Sequence, residues 1–383
     1  MYQVIDTEAT TFEKGHPYSE PNRLCVFGIG ANDDFVSYPI EHSLDYPYGP
    51  NLRLVQERLS RSKMVVGLNI KYDFGWSWCY DLVLDDNILV WDCAVAEYIS
   101  SGQLHTYPSM NDLCDKYGIP QKEDLVSKYW DAGINTPDIP LGEVQEYNIN
   151  DLKRTEQIFK CQLGDIPKEL HKLILNSSKD SLVTSEMEFN GIKYDVETSI
   201  KEGGEILRRI EALDQILCGI INFQHINWNS GDHISAVLYG GVVKYSIRES
   251  FTFVYKDQKK SPVEKQRWKE CLQEFPRLVE PLPRTELKKV GFFSTDVKTL
   301  AKLKAKGTTK EIINLLLERS VLEKEVSTYF HGIPKLIEEM RWSTNIIHPN
   351  FNHCVTRTSR LSGSRPNPQN IPESVRKCLI SRY

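Results

Sequence analysis

The chain has 383 residues, 40% hydrophobic and 26% charged, with a formal net charge of −5. Those proportions suit a globular protein with room for two or three domains, and with no run of about 18 apolar residues they exclude a spanning helix. The net charge hides an asymmetry: residues 1–165 carry 13 Lys and Arg against 26 Asp and Glu, whereas residues 166–383 carry 34 against 26. An acidic first half and a basic second half suggest two tasks, the second facing a polyanion.

The first stretch, Met1 to Thr10, reads as a short buried strand that ends by presenting Asp6 and Glu8. Period-2 alternation puts Asp6 and Glu8 on one face. Two carboxylates so close repel each other unless a cation lies between them, and hard oxygen ligands suit Mg²⁺ or Mn²⁺. Further strands are predicted at Leu24–Ile29, Phe35–Tyr38, Met64–Leu68 and Ile88–Asp92, with a helix at Asn51–Ser60. Asn69-Ile70-Lys71-Tyr72-Asp73 places Asp73 where a loop becomes a helix, and Ala94–Leu163 reads as mainly helical. Within it, Tyr147 and Asp151 stand i and i+4, one turn apart on one face. Strands first and helices after predict an α/β domain ending near residue 165.

The second half is mostly helix. Residues 198–221 keep three-to-four apolar spacing, and Ser230 is placed to cap a short helix through Tyr239. Val243, Tyr245 and Ile247, then Phe251, Phe253 and Tyr255, alternate across Arg248-Glu249-Ser250 and predict a hairpin turning there, followed by a basic loop from Lys256 to Pro262. A long helix is predicted from Thr308 to His331, and the last forty residues are irregular and rich in Arg, Asn, Ser and Pro. Nine scattered cysteines without a C-x-x-C spacing predict reduced thiols, and His348, His353 and Cys354 lack a fourth metal partner. No basic-then-apolar leader opens the sequence, so a cytoplasmic protein with no membrane association is expected.

Asp-x-Glu, Asn-x-x-x-Asp and Tyr-x-x-x-Asp, in that order, resemble the DEDDy class of 3′–5′ exonucleases, specifically the proofreading domain of family A DNA polymerases. The resemblance implies a ribonuclease H-like α/β exonuclease domain over residues 1–165 and two divalent metal ions, Mg or Mn. It implies that Asp6 bridges the metals, Glu8 and Asp151 complete the nucleophile-side site, Asp73 holds the second largely through water, and Tyr147 orients the attacking water. Asn69 would contact the single-stranded 3′ end.

The likeness continues through Glu186–Ile192, Asn227–Leu238 and Tyr329–Pro334, and Pro283–Lys289 with Phe293–Asp296 has a phage-like look. It implies a connection at 166–200, a mainly helical thumb at 201–341 with a hairpin insertion near 243–290, and the start of a palm at 342–383. Val355–Pro372 is similar to the segment that grips primer-template in the family, with Ser359 where Gly is usual and Pro368 where Leu is usual. Arg357, Arg360 and Arg365 can neutralise phosphates, and Asn367, Gln369 and Asn370 can reach sugar or base edges. The last Asp is Asp296, and after Glu339 the only acid is Glu373. Nucleotidyl transfer needs carboxylates too, so the palm's catalytic acids and the fingers are expected on a second polypeptide. The expectation is the exonuclease–thumb subunit of a split, phage-type DNA polymerase, in an infected bacterial cytoplasm. A self-sufficient exonuclease and a non-catalytic DNA-holding subunit are the alternatives.

Overall fold

The computed structural model describes residues 1–43, 48–121, 126–253 and 262–382. They form two compact units, Met1–Val196 with Ile333–Tyr383, and Glu197–Gly332. None of the described helices is long and apolar enough to cross a membrane.

The first unit is built on a five-stranded mixed sheet. Its strands are β1 (Tyr2–Ala9), β2 (Leu24–Ala31), β3 (Asp34–Pro39), β4 (Met64–Gly67) and β5 (Leu89–Asp92). Their order is β3-β2-β1-β4-β5, with the β3-β2-β1 part antiparallel and the β1-β4-β5 part parallel. Seven of the eight residues of β2 are buried, as expected of a strand covered on both faces. In β1 the alternation is polarised: Ile5, Thr7 and Ala9 are buried, and Asp6 and Glu8 between them are half-buried.

Helices α1 (Tyr48–Ser60) and α2 (Lys71–Cys79) contribute to the core that contains Ile5 and Ala9. Helix α3 (Cys93–Ser100) and α4 (Met110–Tyr117), a short α5 (Ser127–Asp131), α6 (Leu141–Asp165) and α7 (Lys168–Asn190) follow. Val4, Trp91, Phe159 and Ile174 share one core, so α3, α6 and α7 close the other face. Gly191 ends α7 at φ 59°, where a Cβ would meet the Ile346 side chain at 2.5 Å. The chain then forms β6 (Ile192–Tyr194).

The second unit begins within α8 (Val196–Ile221), followed by α9 (Gly231–Tyr239), capped by the Ser230 side chain accepting from the His233 amide. Strands β7 (Gly241–Phe253) and β8 (Val263–Phe275) form a long antiparallel ribbon. The predicted turn at Arg248–Ser250 does not occur: Arg248 pairs with Trp268 and Ser250 with Gln266 in one unbroken register. Alternation persists through 248–250, and no Gly, Pro or Asn interrupts it, so the strand runs on. Residues 256–261 of the expected basic loop, and Tyr255 of the expected hairpin, lie outside the described residues. A short α10 (Val297–Leu300) and α11 (Gly307–Glu325) complete a core with Leu217, Trp228, Leu238, Phe275 and Leu316. The helix predicted through His331 changes to a π turn at Val326–Phe330. Buried Arg319 donates to Asp214 at 2.6 Å and to the Trp228 carbonyl at 3.2 Å.

The chain returns to the first unit with α12 (Gly332–Glu339), β9 (Ile346–Ile347), β10 (Asn350–Asn352), β11 (Ser362–Ser364), α13 (Glu373–Arg376) and β12 (Leu379–Ile380). Strand β6 lies between β12 and β9, and β10 pairs with β11. Val375 and Cys378 are fully buried there. Ile380 pairs with Lys193 and remains 39% exposed.

Candidate active site and nucleic-acid interface

The end of β1 gathers three carboxylates. Asp6, Glu8 and Asp151 each offer an oxygen, and these atoms lie within 4.8 Å of one another. Asp151 comes from α6, where Tyr147 one turn earlier is buried against Trp130, ring centroids 5.8 Å apart. The i, i+4 spacing read from the sequence therefore faces the strand end. Three acidic side chains converging with hard oxygen donors fit a Mg²⁺ or Mn²⁺ centre.

The fourth acid comes from α2. Asp73, in the first turn of α2, is buried and accepts a 2.6 Å hydrogen bond from the Thr7 hydroxyl. Thr7 stands between Asp6 and Glu8 in β1, so this bond ties Asp73 to the strand that carries them. Burial and then the Asp6 charge push the Asp73 carboxyl well above the usual carboxylate range. The structure thus brings Asp6, Glu8 and Asp151 into one cluster, with Asp73 close enough for the Asp6 charge to act on its carboxyl.

Several supporting residues carried no motif. Asn148 donates to the Asp6 carboxylate at 2.8 Å and to the Asp6 carbonyl at 3.1 Å. It can do so because Gly28 lies opposite Asp6 on β2; a Cβ there would meet the Asn148 side-chain oxygen at 2.2 Å. Asn69, at φ 57°, turns the chain between β4 and α2. Buried Asp92 holds that turn, accepting from the Asn69 and Ile70 amides, each at 3.0 Å, and from the Ala94 amide at 2.8 Å. An Asp at a strand end before a helix is an N-cap signal, and it was available to find Asp92. Nothing local marks Asn148 or Thr7.

Lys71 ties α2 to the C-terminal strands. Its ammonium donates at 2.7 Å to each of three groups: the Glu188 carboxylate, the Asn350 side chain and the Phe351 carbonyl. Both charged side chains are nearly buried, 14% and 10% exposed. His348 bonds the Glu188 carbonyl and His353 the Thr184 hydroxyl, each at 2.7 Å. Burial pushes both imidazoles down to about 4. Among the described residues they join no metal-type cluster with Cys354.

The Arg-rich segment is a supported loop. The Tyr98 hydroxyl donates to the Thr356 carbonyl at 2.6 Å, and Thr356 exchanges hydrogen bonds with the Arg360 backbone at 2.9 and 3.0 Å. Arg357 and Arg360 are exposed. Arg365 is also exposed but pairs with Glu13 at 3.2 Å. The Asn367 side chain accepts from the Gln369 amide at 3.0 Å, so it caps a turn, while Gln369 and Asn370 face solvent. Ser359 sits at φ 55°, a backbone conformation that favours Gly.

The family model for DNA polymerase family A matches residues 266–382. A DNA polymerase I of Geobacillus stearothermophilus is 27% identical over 303 residues, 76% of this chain and 27% of that protein. A DNA polymerase I of a Synechocystis species is 45% identical over 80 residues, 21% of this chain and 8% of that protein. The chain therefore spans about a quarter or less of these curated relatives. A solved structure, the POL domain of Pol1 from M. smegmatis in complex with DNA primer-template and dNTP, aligns with a TM-score of 0.63 at 17% identity, over 98% of this chain and 53% of that one. The mixed α/β fold is thus shared with a polymerase domain, and residues 266–382 are similar to family A DNA polymerases.

Proposed function

We propose that the chain removes 3′-terminal nucleotides from DNA at the β1–α6 carboxylates and holds primer-template through its basic C-terminal segment and thumb. The observation that carries this reading is the convergence of Asp6, Glu8 and Asp151 beside Tyr147. Two divalent cations bound there would activate water and stabilise the departing 3′ oxygen of an in-line phosphodiester hydrolysis. Asp6 would touch both cations, with Asn148 fixing its carboxylate from behind. Glu8 and Asp151 would complete one cation's ligands, and Asp73 would serve the other through water. Tyr147 would orient the attacking water, and the Asn69 turn would receive the strand end. The mixed β3-β2-β1-β4-β5 sheet supports a ribonuclease H-like arrangement.

Arg357 and Arg360, exposed on a hydrogen-bonded loop, would take duplex phosphates. Nucleotidyl transfer would draw its carboxylates from outside these residues, in this reading from a second polypeptide of a phage-type polymerase acting in a bacterial cytoplasm. The test uses labelled single-stranded and primer-template DNA with Mg²⁺ or Mn²⁺. Stepwise 3′ shortening that EDTA stops, with duplex affinity falling steeply as salt rises, is the expected result. Absence of metal-dependent 3′ shortening overturns the exonuclease reading. Primer extension by the chain alone overturns the assignment of the polymerase site to a second polypeptide.

A further inference from the structure

The reading above assigns no residue of the β7–β8 ribbon a role, yet its two faces differ in charge. Opposite residues in an antiparallel pair share a face, so the continuous register sorts every side chain. Near the base, one face carries Val243 and Tyr245, and the Tyr245 ring packs on Phe223 and His225 with centroids 5.1 and 4.9 Å apart. Farther out, the same face carries Phe251 and Phe253 from β7 and Lys265, Arg267 and Lys269 from β8. Its one acid is Glu249, which accepts from Arg267 at 3.0 Å and from Lys269 at 2.8 Å. Three cations against one carboxylate leave this face basic. The opposite face sets Lys244 and Arg248 against Glu264, Glu270 and Glu274. A ribbon needing only solubility would mix the signs.

The rings do not offer themselves to bases. The Lys265 ammonium lies 3.9 Å from the Phe253 ring centroid, and the Arg267 guanidinium lies 5.2 Å from that of Phe251. Each ring therefore has a cation over one of its faces, and ring and charge are presented together. Base stacking requires an open ring, whereas phosphate contact requires only a row of cationic heads within reach of the backbone. The row here is the second kind.

We propose that the Lys265–Arg267–Lys269 face of the ribbon binds the phosphate backbone of duplex DNA. This deepens the DNA-holding reading and rests on it. The ribbon thereby adds a sequence-independent grip to the thumb, with Glu249 moderating its strength.

The experiment is duplex binding by the full chain in EDTA, by fluorescence anisotropy across a salt series, with 3′ shortening of a short single strand as a parallel assay in Mg²⁺. Replacing Lys265, Arg267 and Lys269 together by Gln lowers the log–log salt slope by about two to three, at about 0.9 per phosphate contact, and weakens binding at least about tenfold. Lys244→Gln with Arg248→Gln, on the other face, changes the slope by less than half as much. Glu249→Gln moves affinity the opposite way, upward, and keeps the proposal testable should the triple variant fold poorly. Single-strand shortening stays unchanged in all of them. An unaltered slope in a folded triple variant, or equal weakening by the two sets, overturns the proposal. Unchanged or weaker binding by Glu249→Gln overturns it as well. Wild-type chain that binds duplex steeply while the triple variant matches it refutes the ribbon alone. Wild-type chain that neither binds nor cleaves refutes the function on which it rests.

Discussion

The carboxylates at the end of β1 and the arginines of the C-terminal loop are supported differently, although both belong to the first compact unit. Asp6 is held through Asn148, Asp151 is buried on a helix, and the neighbouring Asn69 turn is held by buried Asp92. Arg357 and Arg360 are exposed, and the loop beneath them is what Tyr98 and Thr356 hold. The difference follows from the chemistry each can do. Metal ligands must hold their geometry closely, and supporting hydrogen bonds supply that. Phosphate contacts act through charge and tolerate motion, so the backbone beneath needs order and the side chains do not. Lys71 joins the two regions, since its partners Asn350 and Phe351 lie on the strand that leads into the arginine loop.

The comparison breaks most sharply at Asp6 and Asp151. Asp6→Ala or Asp151→Ala should lower metal-dependent 3′ shortening by about 10³-fold or more, because the charge built up in hydrolysis loses its counter-ions. Melting temperature in EDTA should hold or rise in Asp6→Ala, since removing one of three converging carboxylates relieves repulsion. Duplex binding in EDTA should be retained; its loss would tie the two regions together more tightly than this contrast allows.

Lys71→Met tests the joint. It strands a nearly buried Glu188 carboxylate, and breaking such a pair from one side costs about 3–5 kcal/mol. Chemical denaturation should show that loss, and adding Glu188→Leu should recover most of it. No recovery would mean that packing around the methylenes, and not the stranded charge, sets the cost.

Gly28→Ala sharpens the idea that the acids are supported from behind. Its new methyl would displace Asn148 from Asp6, so cleavage should fall about 10- to 100-fold while all four acids remain. Asn148→Ala should fall similarly, and the two together should cost little more than either, because both remove one hydrogen-bonded contact. Independent, multiplying losses would show that Gly28 acts by another route.

The smallest effect belongs to the arginine loop. Ser359→Gly relieves a left-handed residue and should stabilise by about 1 kcal/mol, less whatever the 3.3 Å Tyr98 contact contributes. Melting curves decide the sign, and 3′ shortening should not change.

Parts of both regions were legible in local pattern. The half-buried Asp6 and Glu8 follow from alternation in β1, Tyr147 and Asp151 from helical spacing in α6, and the α9 start from the Ser230 cap. Each is a rule about neighbours a few residues apart, which the chain states directly. The same rule applied without its partner strand placed the β7 turn too early, because only pairing with β8 shows how far alternation continues. Asn148 over Gly28, Thr7 against Asp73, Asp92 beneath the Asn69 turn and Lys71 among Glu188, Asn350 and Phe351 were decided by tertiary structure. These partners lie from 22 to 280 residues apart, and no local period relates them. Which buried donor meets which buried acceptor is settled only when strand order and helix packing bring them together, because a polar group taken out of water must find its partner there.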